Sequence, residues 1–354
     1  MGLTQILYPS LNVILVNRLQ KILFSLKKAR YLPKLAIWTD SSHELPLAAA
    51  NVWEIPVKRV QRGDRICYVS AVALKLGQGL SPSSSLELAH SIAEQFCQAG
   101  FALSIDEPDE LSHDSFGGAD VDRMDLDRMN VDSLTAASAN AFCQQQKEAK
   151  RQVEADMTVY VEPPGWIYFT LTDRGVATWL QRLVEFADWG DRTSMSLTQS
   201  NDWGTVPKSI DSFQILHSHA RCCSQLRLGA QRHLIQLHEA DLTSSGQILH
   251  PQPVPWLTTA QVLQCQHPAE RHLISQILEI MDSLSTTQTS PKRLWQRAQA
   301  LSQAFYLFHA GWQMMGEEKP DRNLAQARLG LTFICRNLLR SLLQQLQIVA
   351  PIEL

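Results

Sequence analysis

Two rows of polar residues at helical spacing are the parts of this chain best suited to hold a negatively charged ligand. In the closing stretch ARLGLTFICRNLLRSLLQQLQIVAPIEL, residues 327–354, Arg328, Thr332, Arg336, Arg340 and Gln344 recur every four residues. They therefore line one side of a helix. A second row, His217, Arg221, Gln225, Arg232 and Gln236, lies on the polar side of the helix that opens the C-terminal region. Guanidinium groups set out this way pair with phosphates or carboxylates. The plainer reading of either row is a solvated helix face. In HSHARCC, His219 and Cys223 stand four apart, a spacing that could ligate a metal. No third or fourth ligand is evident, and Cys223 falls on the apolar stripe of its helix, where a buried thiol is ordinary. No metal is expected. The phosphate-binding glycine patterns, the G-x-S-x-G elbow and paired carboxylates in a folded segment are all missing, so neither a cofactor nor a catalytic constellation is expected.

The elements that must position these rows read as follows. A helix covers 11–31, and short strands cover 35–39 and 52–60. Val69 to Leu76 forms a short helix, and Ser81 to Gly100 a longer one with a Pro-Ser start and a Gly stop. MTVYVEPPGWIYFTLT, 157–172, is β-rich around a Pro-Pro-Gly turn, and a helix follows over 173–187. Residues 188–210 are polar and Gly-containing, as in a linker. From Ser212 the chain reads as all helix. Apolar residues recur at Phe213, Leu216, Ala220, Cys223, Leu226, Ala230, Leu234 and Leu237, then in helices at 268–284, 291–313 and 324–349. In the last of these, Leu331, Ile334, Leu338, Leu342, Leu346 and Val349 mark a core-facing stripe. Two domains result: an α+β N-terminal domain, 1–187, and an all-α bundle, 211–354.

Charge divides the chain further. Residues 1–103 carry a net +5, residues 104–210 a net −10 and residues 211–354 a net +2. The acidic balance is concentrated in IDEPDELSHDSFGGADVDRMDLDRMNVDSL, with ten acids and two arginines, within an insertion spanning 104–156. Few of its residues are apolar, which suits a mobile segment. It lacks the closing Glu and central Gly of an EF-hand loop. The seven cysteines are odd in number and irregularly spaced, as in free thiols of a reducing cytoplasm. LNVILVNRLQKILF is too polar to span a membrane and reads as a core-packed first helix with a basic rim.

The C-terminal segments resemble a known family. SFQILHSHARCCSQLR, ERHLISQILEIMDSL, RLWQRAQALSQAFYLFH and the final helix, in this order, are similar to the helices of the DALR-type anticodon-binding domain of arginyl-tRNA synthetases. GDRICYVSAVALKLGQGLSPSSSLELAHSIAEQF and VEPPGWIYFTLT are similar to that family's additional N-terminal domain. The resemblance implies a bundle of the class I synthetase anticodon-binding type. It also implies a missing body. The catalytic Rossmann-type domain would fall at residues 188–210, which are too few for an α/β nucleotide domain, and its ATP-binding motifs have no counterpart.

Carried over position by position, the residues that would face tRNA are His217, Arg221, Arg328, Arg336 and Arg340 in the bundle and Trp166 and Tyr168 in the N-terminal domain. Tyr168 stands where the family has Asn, His217 where it has Tyr, and Glu353 in place of a terminal Arg. The expectation is a non-catalytic, cytoplasmic, arginyl-tRNA synthetase-like protein that binds tRNA, with no membrane and no DNA among its partners. The alternative is a protein–protein interaction scaffold that kept the appended folds and lost RNA binding.

Overall fold

In a computed structural model, the described residues are 10–28, 55–62, 65–77, 82–98, 153–154, 156–186, 210–238, 247–285, 290–314 and 321–354. The expected strand at 35–39, the acidic segment 104–135 and the stretch 188–209 lie outside them.

The N-terminal half is a four-stranded antiparallel sheet covered by helices. Helix α1 (Leu11–Lys28) precedes strands β1 (Val57–Arg62) and β2 (Arg65–Ser70), the short helix α2 (Val72–Leu76) and helix α3 (Pro82–Gln98). The hairpin β3 (Met157–Glu162) and β4 (Trp166–Leu171) completes the sheet in the order β1-β2-β4-β3. Its turn is Pro163-Pro164-Gly165, where Gly165 takes a φ of 147° that a side chain would oppose. Alternation along the strands sorts the faces. Tyr68, Ile167, Phe169 and Leu171 point inward and are buried, with the Phe169 ring 4.9 Å from Phe96 of α3. The opposite face carries Tyr160, Tyr168 and Trp166. The expected helix over Val69 to Leu76 is corrected here: Val69 and Ser70 end β2, and only Val72 to Leu76 is helical. A short apolar run does not distinguish strand from helix until a pairing partner is in place.

Helix α4 (Asp173–Glu185) follows β4 directly. Its N-cap Thr172 accepts from the Gly175 amide at 3.2 Å and donates to the Asp156 carbonyl at 2.9 Å. The remaining helices are α5 (Ile210–Gln231), α6 (Pro268–Ser285), α7 (Pro291–Met314) and α8 (Arg322–Gln345). The C-terminal region is not all helix as expected. Helix α5 ends at Gln231, His233 turns the chain with a φ of 53°, and β5 (Gln236–Leu237) pairs with β6 (Ile248–His250). Helix α8 stops at Gln345, so Val349 is off its apolar stripe and 88% exposed.

The two halves share one hydrophobic core. Asp282 of α6 accepts from the Tyr68 hydroxyl at 2.5 Å, the Ser10 hydroxyl at 2.8 Å and the Asn12 amide at 3.1 Å. Burial pushes both the Asp282 carboxyl and the Tyr68 phenol above their ordinary pKa ranges. Arg59 of β1 donates to the carbonyl of Ser275, and Gln181 of α4 accepts from the Trp256 indole and the Val254 amide, each at 3.0 Å.

Candidate nucleic-acid interface

The seven residues expected to face tRNA fall into three places. His217 and Arg221 stand together on the exposed side of α5. The His217 ring lies 5.8 Å from that of Phe213, one turn earlier, with an interplanar angle of 26°. Arg221, one turn later, donates from Nε to His309 Nε2 of α7 at 2.7 Å. That bond requires a bare Nε2 and a protonated Nδ1, which stands 3.1 Å from the Gln225 amide. The neighbouring atom is assigned as Gln225 Nε2, which cannot accept from that N–H, so the amide is read the other way round, with its oxygen as the acceptor. Burial and the adjacent Arg221 charge hold His309 below the usual histidine pKa, which keeps it in the neutral form this arrangement needs. Gln214 donates to Gln303 at 2.8 Å, and Tyr306 of α7 is 59% exposed. The α5–α7 seam thus presents Phe213, His217, Arg221 and Tyr306 outward, braced by amide and imidazole hydrogen bonds. Aromatic and guanidinium planes of this kind stack on unpaired bases.

The second place is the interior. Helix α8 packs against α5, α6, α7 and α4, and 18 of its 24 residues are buried. From Arg328 to Arg336 its basic row is therefore not a surface. Arg328 is 1% exposed, ion-paired from Nε to Glu270 Oε1 at 2.7 Å, with its guanidinium 5.6 Å from the Trp312 ring. Arg336 is fully buried and donates to Asn337 Oδ1 at 2.9 Å. The expectation that Arg328 and Arg336 face RNA is corrected on this point: a guanidinium enclosed by packed helices does not reach a phosphate outside. Arg340 is half-buried near the end of the same helix. Glu270 had no role in the sequence reading. One of its oxygens accepts from the His267 amide at 2.9 Å while His267 Nδ1 accepts from the Ala269 amide at 3.2 Å, a capping box at the start of α6; its other oxygen holds Arg328.

His219 also lies inside. Its Nδ1 donates to the Pro351 carbonyl at 2.7 Å, which anchors the chain beyond α8. Burial, opposed in part by that hydrogen bond and reinforced by the nearby Arg336 and Arg340 charges, lowers its pKa to about 4. Cys223 Sγ is 3.9 Å away, and among the described residues no group of three His, Cys, Asp or Glu could hold a metal ion. Glu353 pairs with Arg227 of α5 at 2.8 Å.

The third place is the outer face of the sheet. Trp166 is 37% exposed. Tyr168 lies beside Tyr160, rings 4.9 Å apart and 6° from parallel, under the Arg62 guanidinium at 4.2 Å. Arg62 is held by both carboxylate oxygens of Glu162, at 2.9 and 3.0 Å, and by the Tyr160 hydroxyl at 3.0 Å. That pairing raises the Arg62 pKa and lowers that of Glu162.

Sequence reasoning placed Phe213 with the apolar stripe and passed over Tyr306, His309, Arg62 and Tyr160. Phe213 was legible as one turn before His217, but which side of α5 faces α7 is settled only by packing. Arg62 and Tyr160 are about a hundred residues apart and meet only through the sheet.

Residues 215–354 match the family model of the DALR anticodon binding domain. The chain is also similar to the arginine–tRNA ligase of Synechococcus sp. (strain JA-3-3Ab), 29% identical over 129 residues. The match takes in 36% of this chain and 19% of that enzyme's length. No solved structure matches. The C-terminal bundle is thus a DALR-type region, and the chain is related over part of its length to arginine–tRNA ligases. Among the described residues no helix is long and apolar enough to cross a membrane.

Proposed function

We propose that this protein is a non-catalytic, arginyl-tRNA synthetase-like binder of tRNA, acting in the cytoplasm. The observation that carries the reading is the α5–α7 seam. There the DALR-type bundle turns Phe213, His217, Arg221 and Tyr306 to solvent, with His309 and Gln225 fixing the arginine. Stacking groups beside a fixed cation suit an unpaired loop, where bases are free to be splayed and read. Trp166 and the Arg62-capped Tyr168 add a second such surface on the sheet. The Asn-to-Tyr exchange at Tyr168 favours stacking over base-edge hydrogen bonding there.

The test is a titration of the full chain against total tRNA and tRNA-Arg at about 50 and 200 mM salt. Micromolar binding that weakens at least about tenfold between the two conditions is expected. No binding at the lower salt overturns the reading. An interaction scaffold without RNA binding is favoured by one observation: Arg62 and Arg227, beside the candidate surfaces, are each engaged by a carboxylate, Glu162 and Glu353. In that case affinity capture from the native cell returns a stoichiometric protein partner, and a capture containing RNA alone counts against it.

A further inference from the structure

Between the sheet and the bundle lies a cavity of about 440 Å³, on the scale of small-ligand pockets. Arg65, Thr158, Thr170 and Thr172 line it from the N-terminal half with the apolar Ile66, Leu171 and Val176, and Arg271 of α6 reaches it from the bundle beside Asp173. The strand register puts Arg65, Thr158 and Thr170 on the same face as Tyr160 and Tyr168. Asp173 is already engaged from the bundle side: one oxygen accepts from the Leu263 amide at 2.9 Å, the other from Arg271 at 3.4 Å. The charged lining is then Arg65 together with the Arg271–Asp173 ion pair, a net positive charge, with threonine hydroxyls beside them. A net positive charge among hydroxyl groups suits a tetrahedral oxyanion.

The surroundings indicate whose oxyanion. Tyr168 stands two residues from Thr170 along β4, roughly 7 Å away on the same face. A base laid on the Arg62–Tyr168 stack would place its own backbone over the cavity mouth. We propose that this seam cavity is a phosphate cradle for the backbone of single-stranded RNA crossing the outer face of the sheet, with Arg65 and Arg271 as its cationic arms. The proposal rests on the RNA-binding reading above and gives the N-terminal half a defined part in it. It also needs both halves together, since neither arginine alone closes the cradle.

Arg65 is exposed, so Arg65→Gln removes one arm without opening the core; Thr158→Val is the second variant, and Arg271→Lys keeps charge while losing the fork. Affinity for tRNA is measured over a salt series with the full chain, alongside a thermal-shift titration with inorganic phosphate. Arg65→Gln is expected to bind tRNA about tenfold more weakly, with the slope of log affinity against log salt smaller by about 0.7 to 1. Stabilisation by phosphate is expected in the parent and lost in Arg65→Gln. Unchanged affinity and slope in both Arg65→Gln and Thr158→Val, in a protein whose parent binds tRNA, overturn the cradle and leave the α5–α7 reading standing. No tRNA binding by the parent removes both. Phosphate stabilisation that depends on Arg65, with tRNA affinity indifferent to it, overturns the RNA assignment in favour of a free phosphate ligand.

Discussion

Helix α5 carries Arg221 and helix α8 carries Arg328 and Arg336, in each case on a polar row at helical spacing. On α5 the row lies at the rim of the bundle: Arg221 is exposed and braced by a neutral histidine. On α8 the row lies in the middle: Arg328 is 1% exposed and paired with Glu270, and Arg336 is enclosed. Spacing and residue type are alike, so the difference comes from how many neighbours each helix has. An exposed guanidinium is free to serve a ligand at little structural consequence, whereas a buried one is committed to its partners within the fold, Glu270 for Arg328 and Asn337 for Arg336. The comparison teaches that a basic row on a bundle helix is evidence of ligand binding only where the helix is peripheral.

The contrast breaks most visibly at the buried pair. Glu270→Ala removes the carboxylate paired with the buried Arg328 and a cap of α6, and it should destabilise by about 3–5 kcal/mol in chemical denaturation. The double variant Glu270→Leu with Arg328→Met should recover most of that loss, because the site then holds no uncompensated charge. A Glu270→Ala protein of unchanged stability would sink the buried-pair assignment.

Next in size is the acid response. His219 titrates at about 4 in the folded state against about 6.5 when unfolded. The unfolded chain therefore binds its proton first, and stability present above pH 6.5 declines as pH falls toward 4, by roughly 3 kcal/mol in total. Asp282, whose pKa is raised by burial, contributes in the opposite sense: its stabilisation is lost as pH rises through its folded-state value. The quantity to measure is thus the difference between the parent and His219→Gln across pH 4–7, in which Asp282 cancels. A difference that does not vary with pH would refute the buried, neutral histidine.

A smaller effect tests why α8 is so enclosed. Gly330 lies against Trp256 and Val254; a methyl added there would come within 2.5 Å of the Trp256 ring. Gly330→Ala should cost about 1–3 kcal/mol by overpacking, read as a lowered denaturation midpoint. If it is neutral, the Pro-rich stretch before Trp256 does not clamp α8.

The smallest structural change belongs to the exposed row. Arg221→Ala should alter stability by no more than about 0.5 kcal/mol while weakening tRNA binding about tenfold. Should it destabilise as much as Glu270→Ala, the distinction between the two rows collapses.

Much of this protein was legible in its sequence. Helices of more than three turns announce themselves through repeated apolar positions, so α1, α3, α6, α7 and α8 were found close to their observed limits. The β3–β4 hairpin was legible through its Pro-Pro-Gly turn, and the DALR-type bundle through the order of its segments. Shorter elements were not. The end of β2 depends on hydrogen bonds to β4, about a hundred residues on, and the β5–β6 pair has strands of two and three residues, too short for an alternating pattern to show.

The site divides along the same line. Periodicity by itself determined that Arg221, Arg328 and Arg336 lie on helix rows, and the residue types determined what they could bind. Only the tertiary structure decided which of them meets solvent. Burial depends on the neighbours a helix acquires: α8 is surrounded because Gly330 admits Trp256 and because Glu270, 58 residues away in sequence, supplies the counter-charge that lets an arginine sit inside.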